Sequence, residues 1–311
     1  MIMRTVGIER LIIIGLCVGA LAAPVEAKRK GGGGDHLEKG AQLAEQKQYD
    51  AAIVEFNKAI EENPKDPRAY ANRGTAYRAS GKFAEALADF SKAIEVAPKD
   101  YFGYMERSQT ELMQNQFDAA LADAEKTIEL KPDDPFGYKF RGFANIGLNQ
   151  WDKAIADFTT AIEKKPDDMQ SYDRRAFAYR GLKTPQGFDA AIADYTFMIE
   201  KDPTNADPLT KRGYTYSLMT QYEKAIVDYE AAQKIKPEDY ETVQRMQYAR
   251  SQLAMKNAPP PSPTPTPAPP SKIFTPLNII LAIILLGIAA AVWRLVTRGK
   301  PEESSSSMRI R

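Results

Sequence analysis

The chain has little of what enzymes and metalloproteins are built from. Its 311 residues include one cysteine, Cys17, and one histidine, His36. A single thiol and a single imidazole exclude most nucleophilic, metal-ligand and imidazole acid–base constellations. Excess charge is missing as well. Lys and Arg total 42 against 41 for Asp and Glu, so nothing draws a polyanion, and nucleic acid is not an expected partner. The run Gly31–Gly34 is followed by no Lys-Ser/Thr at the start of a helix, which excludes a phosphate loop. Paired acids such as Glu61-Glu62 and Asp167-Asp168 fall at helix ends and turns, where they read as solvated surface. No cofactor is expected. Hydrophobic residues nevertheless make up 43%, enough to bury a core.

Both ends are apolar, in different ways. Arg4 and Arg10 precede a run of about 13 apolar residues (11–23), shorter than the roughly 20 that span a bilayer. Val25 and Ala27 supply short side chains at a cleavage site, so residues 1–27 read as a signal peptide; cleavage after Ala22, or retention as an anchor, stays open. Leu16 before Cys17 argues against lipidation. Residues 28–35 read as a flexible lead-in. At the other end, residues 273–297 are almost wholly apolar and long enough to cross a membrane. Arg294 stands near the end of this stretch, Arg298, Lys300, Arg309 and Arg311 follow it, and only Lys272 lies just before it, which places the tail, 298–311, in the cytoplasm. The bulk of the chain is then extracytoplasmic. No cysteine remains after cleavage and no Asn-x-Ser/Thr acceptor occurs, which fits a bacterial periplasm. Between body and span, Ala258–Pro270 holds eight prolines in thirteen residues, so the linker 258–272 reads as an extended stalk of about 40 Å.

The body repeats. Pro64, Pro98, Pro132 and Pro166 are spaced by 34, and Pro203 and Pro237 follow by 37 and 34. In the same register Gly40, Gly74, Gly142 and Gly213 recur, with Ser108 and Ala176 as small substitutes. Ala52, Ala86, Ala120, Ala154, Ala191 and Ala225 recur without exception, and four places on stand Phe56, Phe90, Phe158, Tyr195 and Tyr229; Ala124 alone breaks that series. Small residues at the glycine and alanine places let two helices approach closely, aromatics fill the layer between neighbouring pairs, and proline ends each second helix. A basic residue precedes each small place (Lys39, Arg73, Arg107, Arg141, Arg175, Arg212), and an acid precedes each aromatic place (Glu55, Asp89, Asp123, Asp157, Asp194, Asp228). One of each per repeat predicts salt bridges between the two helices rather than a ladder for ligands. The three extra residues of the fifth repeat fall around Lys183–Gly187 and predict a longer loop.

The run Tyr70, Arg73, Gly74, Tyr77, Ala86, Leu87, Asp89, Phe90, Ala93, Ile94, Pro98 resembles the tetratricopeptide repeat (TPR). The resemblance implies an all-α fold: a right-handed superhelix of six helix-turn-helix repeats (about 33–66, 67–100, 101–134, 135–168, 169–205 and 206–239) with a capping helix, 240–257. A solenoid over 36–257 follows from stacking units that cannot bury their faces alone. It also implies a concave wall of first helices that binds an extended peptide or partner helix. Carried onto this sequence, the wall includes Phe102, Met105, Phe136, Lys139, Phe140, Phe143, Arg174, Phe177, Arg180, Lys211 and Tyr214. These aromatics exceed what the repeat asks for, so they predict either a partner groove or extra packing between first helices. The chaperone-tail clamp of some family members, which pairs lysine with asparagine, is not matched: Leu37 and Ala41, Met105 and Gln109, Lys139 and Phe143 stand there instead. The expected function is a membrane-anchored, non-enzymatic scaffold for a protein or peptide. Self-association, or an accessory role in an enzyme or secretion complex, is the alternative.

Overall fold

Each period folds as a helix hairpin. The computed structural model describes residues 34–258 and 276–298. The expected signal peptide, nearly all of the lead-in and the linker, and the tail beyond Arg298 lie outside the described residues. Helix α1 starts at Gly34, inside the expected lead-in, because Asp35 suits a first helical turn. The six hairpins are α1 (Gly34–Glu45) with α2 (Tyr49–Glu62), α3 (Pro67–Ala79) with α4 (Phe83–Val96), α5 (Tyr101–Met113) with α6 (Phe117–Leu130), α7 (Pro135–Gly147) with α8 (Trp151–Lys164), α9 (Met169–Gly181) with α10 (Pro185–Lys201), and α11 (Ala206–Leu218) with α12 (Tyr222–Ile235). Helix α13 (Tyr240–Asn257) follows as the cap, and α14 (Pro276–Arg298) belongs to a second unit.

Local chemistry sets the boundaries. Asp66, Asp100, Asp134 and Asn205 cap first helices, each accepting a hydrogen bond from the backbone N–H two residues on. Pro67 and Pro135 occupy the first turn, where a missing N–H costs nothing. Every hairpin turn places one residue in the left-handed region: Lys47, Gly81, Asn115, Asn149, Lys183 and Thr220. In five of the six turns the next N–H then reaches back to a carbonyl five residues earlier, as from Lys82 to Tyr77.

The fifth repeat corrects the sequence reading. Its turn is as short as the others, and the three extra residues extend α10 to 17 residues where the other second helices have 14. Thr184 caps this added turn, its Oγ1 accepting from the Gly187 N–H at 3.1 Å, and Pro185 fills the first helical place. Thr-Pro is a helix start, and it outweighs the turn signal of the glycine behind it.

Within a hairpin the small residue and the ring fit each other. A Cβ added at Gly40, Gly74, Gly142 or Gly213 would lie 2.5–2.9 Å from the ring of Phe56, Phe90, Phe158 or Tyr229. In the third repeat Ala124 stands in place of the ring, and the small place holds Ser108, whose Oγ donates to the Ala120 carbonyl at 2.8 Å. The expected salt bridges form in every repeat: Arg73–Asp89 at 2.7 Å, Arg107–Asp123 at 2.6 Å, Arg141–Asp157 at 2.7 Å, Arg175–Asp194 at 2.7 Å, Arg212–Asp228 at 2.8 Å and Lys39–Glu55 at 2.9 Å. The acids are buried. Four of the arginines also donate to the preceding repeat, to Asn57, Ser91, Thr159 and Thr196. One guanidinium therefore joins both helices of its own repeat and the second helix of the one before, and it leaves few donors for a ligand.

Helix α14 forms the second unit by itself. Its segment Pro276–Thr297 is 22 residues long, or roughly 33 Å, enough to cross a hydrocarbon core. Leu281, Ile284, Leu286 and Ile288 are exposed on its surface.

Candidate partner-binding groove

First helices approach one another between consecutive repeats, most closely α5 with α7, whereas the second helices pack on the first helix that follows. Tighter spacing on one side curves a stack, so the first helices form its inner wall. From the second to the fourth repeat this wall is packed but for a pocket of about 30 Å³ lined by Arg68, Ala71, Asn72 and Phe102 among others. Arg78 pairs with Glu106 at 2.6 Å and donates to its carbonyl, joining α3 to α5. Met105, Leu112, Phe140, Phe143 and Ile146 are buried in one cluster, on which Phe102, Phe136 and Phe177 pack half-buried. Phe143 also meets Phe158 edge to face at 5.4 Å.

The expected groove is thereby corrected along half its length. Met105, Phe140 and Phe143 are buried and leave a ligand almost no open surface, and Arg174, at 4% exposure, reaches only the edge of the cavity beyond them. Apolar residues facing each other across α5 and α7 exclude water by meeting, and that removes them from reach of a ligand. Lys139 is held by Asp168 at 3.0 Å, beside the Phe136 ring.

Beyond Phe143 the apolar filler runs out. The place of Leu112 and Ile146 is taken in α9 by Arg180, and that of Phe140 is taken in succession by Arg174, Lys211 and Arg245. Charged side chains cannot interdigitate as leucine does, and a cavity of about 230 Å³ opens, lined by Arg174, Phe177, Arg180, Lys211 and Tyr214 among the expected residues. Tyr195, expected only as a packing ring, also lines it, as do Lys236, Asp239, Glu241 and Arg245, which the sequence did not single out. Arg245 was findable: it repeats the register of Lys211 on the capping helix. The Arg180 guanidinium lies 5.1 Å from the Tyr214 ring, 5.5 Å from Phe177 and 5.9 Å from Tyr195, and Arg245 stacks on Tyr214 at 4.0 Å. On the cavity floor Asp173 meets Lys211 at 2.5 Å and Arg174 at 3.5 Å. Burial pushes its carboxyl upward, but Lys211, Arg174 and Arg180 outweigh that and hold it below the ordinary range.

Elsewhere titratable groups serve the frame. Lys39, His36 and Lys58 together pull Glu55 down to about 2. Burial raises Asp157 and Asp194 despite their arginines. Among the described residues no group of three His, Cys, Asp or Glu could hold a metal ion.

Fold and groove thus define a class, the helical-repeat scaffolds that present an inner wall for protein contact. Family models described as "Tetratricopeptide repeat" match residues 67–100 and 198–227, and one described as "TPR repeat" matches 40–78. The chain belongs to the tetratricopeptide-repeat family, whose members mediate protein–protein interactions. Among curated proteins it resembles the Hsp70-Hsp90 organizing protein 2 of Arabidopsis thaliana, 40% identical over 53 residues, and the Hsp70-Hsp90 organizing protein of Triticum aestivum, 41% over 51 residues. These alignments cover 17% and 16% of this chain and 9% of each relative. Among solved structures, YrrB, described as a TPR protein with an unusual peptide-binding site, aligns with a TM-score of 0.52 at 23% identity over 62% of this chain and 97% of its own. The Cut9–Hcn1 assembly aligns with a TM-score of 0.58 at 16% identity over 70% of this chain and 42% of that one. These likenesses show the fold.

Proposed function

We propose that the protein is a single-pass membrane scaffold that holds a peptide or protein partner against the inner wall of its solenoid, at the end formed by α9, α11 and α13. The observation that carries this reading is the cavity there, about 230 Å³ and lined by half-buried rings and cations, against about 30 Å³ for the pocket between the second and third repeats and the packed cluster that follows it. Surfaces that combine aromatic and arginine side chains with partial desolvation are where binding energy concentrates. The peptide-binding site of YrrB supports the reading by analogy of fold. Helix α14 is the membrane span, with the basic C-terminal flank in the cytoplasm and the repeats on the other side. The relatives named as chaperone organisers share only a short stretch, and the missing Lys-Asn pairs argue against a chaperone-tail receptor.

A photo-cross-linking residue placed at 214, expressed in native membranes, tests the groove. It should give a discrete adduct that is absent when the same residue replaces Val227, which is 64% exposed on α12. Equal adducts from both positions would contradict the groove. For topology, a reporter active only in cytoplasm should work when fused after Arg311 and fail when inserted at Ser262; the reverse would overturn the orientation.

A further inference from the structure

The charges around the cavity come close to balance, five cations against four acids in its lining, so charge selects little there. Recognition falls to the rings and their hydroxyls. One register of the inner wall, the residue after the small place, reads Phe143, Phe177, Tyr214 and Tyr248 on α7, α9, α11 and α13. Phe143 is sealed at 1% exposure, Phe177 and Tyr214 are half-buried at the cavity, and Tyr248 is 55% exposed on the capping helix. Arg245, one turn before Tyr248, stacks on Tyr214 at 4.0 Å, so the register continues onto α13 without a break. The Arg180 guanidinium lies 5.5 Å from the Phe177 ring and 5.1 Å from the Tyr214 ring, which sets those ring centres no more than about 11 Å apart, in keeping with contacting helix axes roughly 8–10 Å apart. Neither the Tyr214 nor the Tyr248 hydroxyl has a hydrogen-bond partner among the described residues.

One ring per repeat sets a period, and backbone chemistry decides what can follow it. A polyproline II segment has three residues per turn and a rise of about 3.1 Å, so each edge of it recurs every ~9 Å. On a strand the same face recurs every ~7 Å. A helix has already spent its carbonyls on its own N–H groups, and a strand brings N–H groups for which the helical backbone of the wall has no free carbonyl. Proline has no N–H and leaves its carbonyl open, an acceptor that a tyrosine hydroxyl can meet. We infer that Phe177, Tyr214 and Tyr248 form a ladder for a proline-rich partner segment in the polyproline II conformation, one proline stacked on each ring, with the Tyr214 and Tyr248 hydroxyls donating to its carbonyls. Such a segment is stiff before it binds, so ordering it on the wall costs little. The inference rests on the groove reading above and adds its ligand class.

The test uses the full chain in detergent and three fluorescein-labelled, N-acetylated, C-amidated dodecapeptides read by anisotropy: a Pro-Pro-Ala repeat, the same repeat in D-amino acids, and a helix-forming Ala-Leu sequence. A second chain, with the eight prolines of 258–270 replaced by serine, keeps those prolines from competing with the probe. The L-proline peptide should bind at least ~10-fold more tightly than its mirror image, which has the same composition and the opposite hand, and its affinity should change less than about 2-fold between low and high salt. Tyr214→Phe and Tyr248→Phe keep the ring and lose only the hydroxyl, and each should weaken the L-peptide about 5-fold with the unfolding midpoint unmoved. Equal binding of the two mirror images, tighter binding of the helical peptide, or full affinity in both Tyr→Phe variants would overturn the inference and leave the groove. The cross-link from position 214 separates the remaining cases. An adduct there without any binding of the proline peptide overturns the ligand class alone, and neither adduct nor binding overturns inference and groove together.

Discussion

Replacing Glu111 by glutamine should stabilise the solenoid above neutral pH and change little at pH 5. Glu111 occupies the place held by Tyr77, Tyr179 and Tyr216 in other repeats, within the one hairpin where Ala124 replaces the ring. Its side chain is 10% exposed, its Oε2 finds no hydrogen-bond partner among the described residues, and Arg107, at 4.0 Å, is already committed to Asp123. Burial, then the charge of Asp123, pushes the carboxyl from 4.5 up to about 7. The direction follows from linkage. Below pH 4.5 both folded and unfolded chains hold the proton. Between 4.5 and 7 the unfolded chain releases it first, so stability falls as pH rises, and above 7 it is level again. At about 1.4 kcal/mol per pH unit the loss reaches at most about 3 kcal/mol. Urea midpoints of wild type and Glu111→Gln at pH 5, 6, 7 and 8 isolate this group from the others. Amide exchange in α5 and α6 localises it, since stacked repeats need not unfold in one step. A wild-type-to-variant difference that stays constant across this range, or a variant less stable at pH 8, would refute the reasoning.

Other expectations are equally concrete. Arg73→Met should cost about 3 kcal/mol by stranding buried Asp89, and should raise amide exchange at the junction with the first repeat through Asn57. Arg141→Met should cost less, because Asn145 still donates to Asp157 at 2.8 Å; equal urea-melt losses would contradict that. Gly142→Ala places a methyl 2.9 Å from the Phe158 ring and should lower the unfolding midpoint by an amount equivalent to about 1–3 kcal/mol. Phe140→Ala should cost about 3–5 kcal/mol by opening a cavity in the core; a melting temperature unchanged from wild type would return Phe140 to the groove.

The frame was legible in the sequence because it is local and repeated. Proline spacing, the glycine facing its ring, and the arginine with its acid each recur six times or nearly so, and each predicted contact spans one hairpin. What depends on distances between repeats was not legible. Phe140 and Phe177 sit in neighbouring repeats on the same wall, yet one is core and the other lines a cavity. The difference lies in what faces them: Met105 and Leu112 on one side, Lys211 and Tyr214 on the other. Residues 173 and 211 meet across 38 positions, and no periodic rule shows that Lys211, Arg174 and Arg180 all act on Asp173. The fifth-repeat insertion failed for a local reason, since Thr184-Pro185 signals a helix start as strongly as Gly187 signals a turn.

The central claim, that partner binding resides in the α9–α11–α13 cavity rather than in the packed wall before it, is tested most directly by one titration. The partner captured from position 214 is titrated onto the full chain in wild-type form and as Phe177→Ala/Tyr214→Ala, with the unfolding midpoint of each recorded alongside. Affinity should fall at least 10-fold with the midpoint moved by only a few degrees, because half-buried rings that await a ligand contribute little to folding. Unchanged affinity, or a loss that appears only together with unfolding, would contradict the claim.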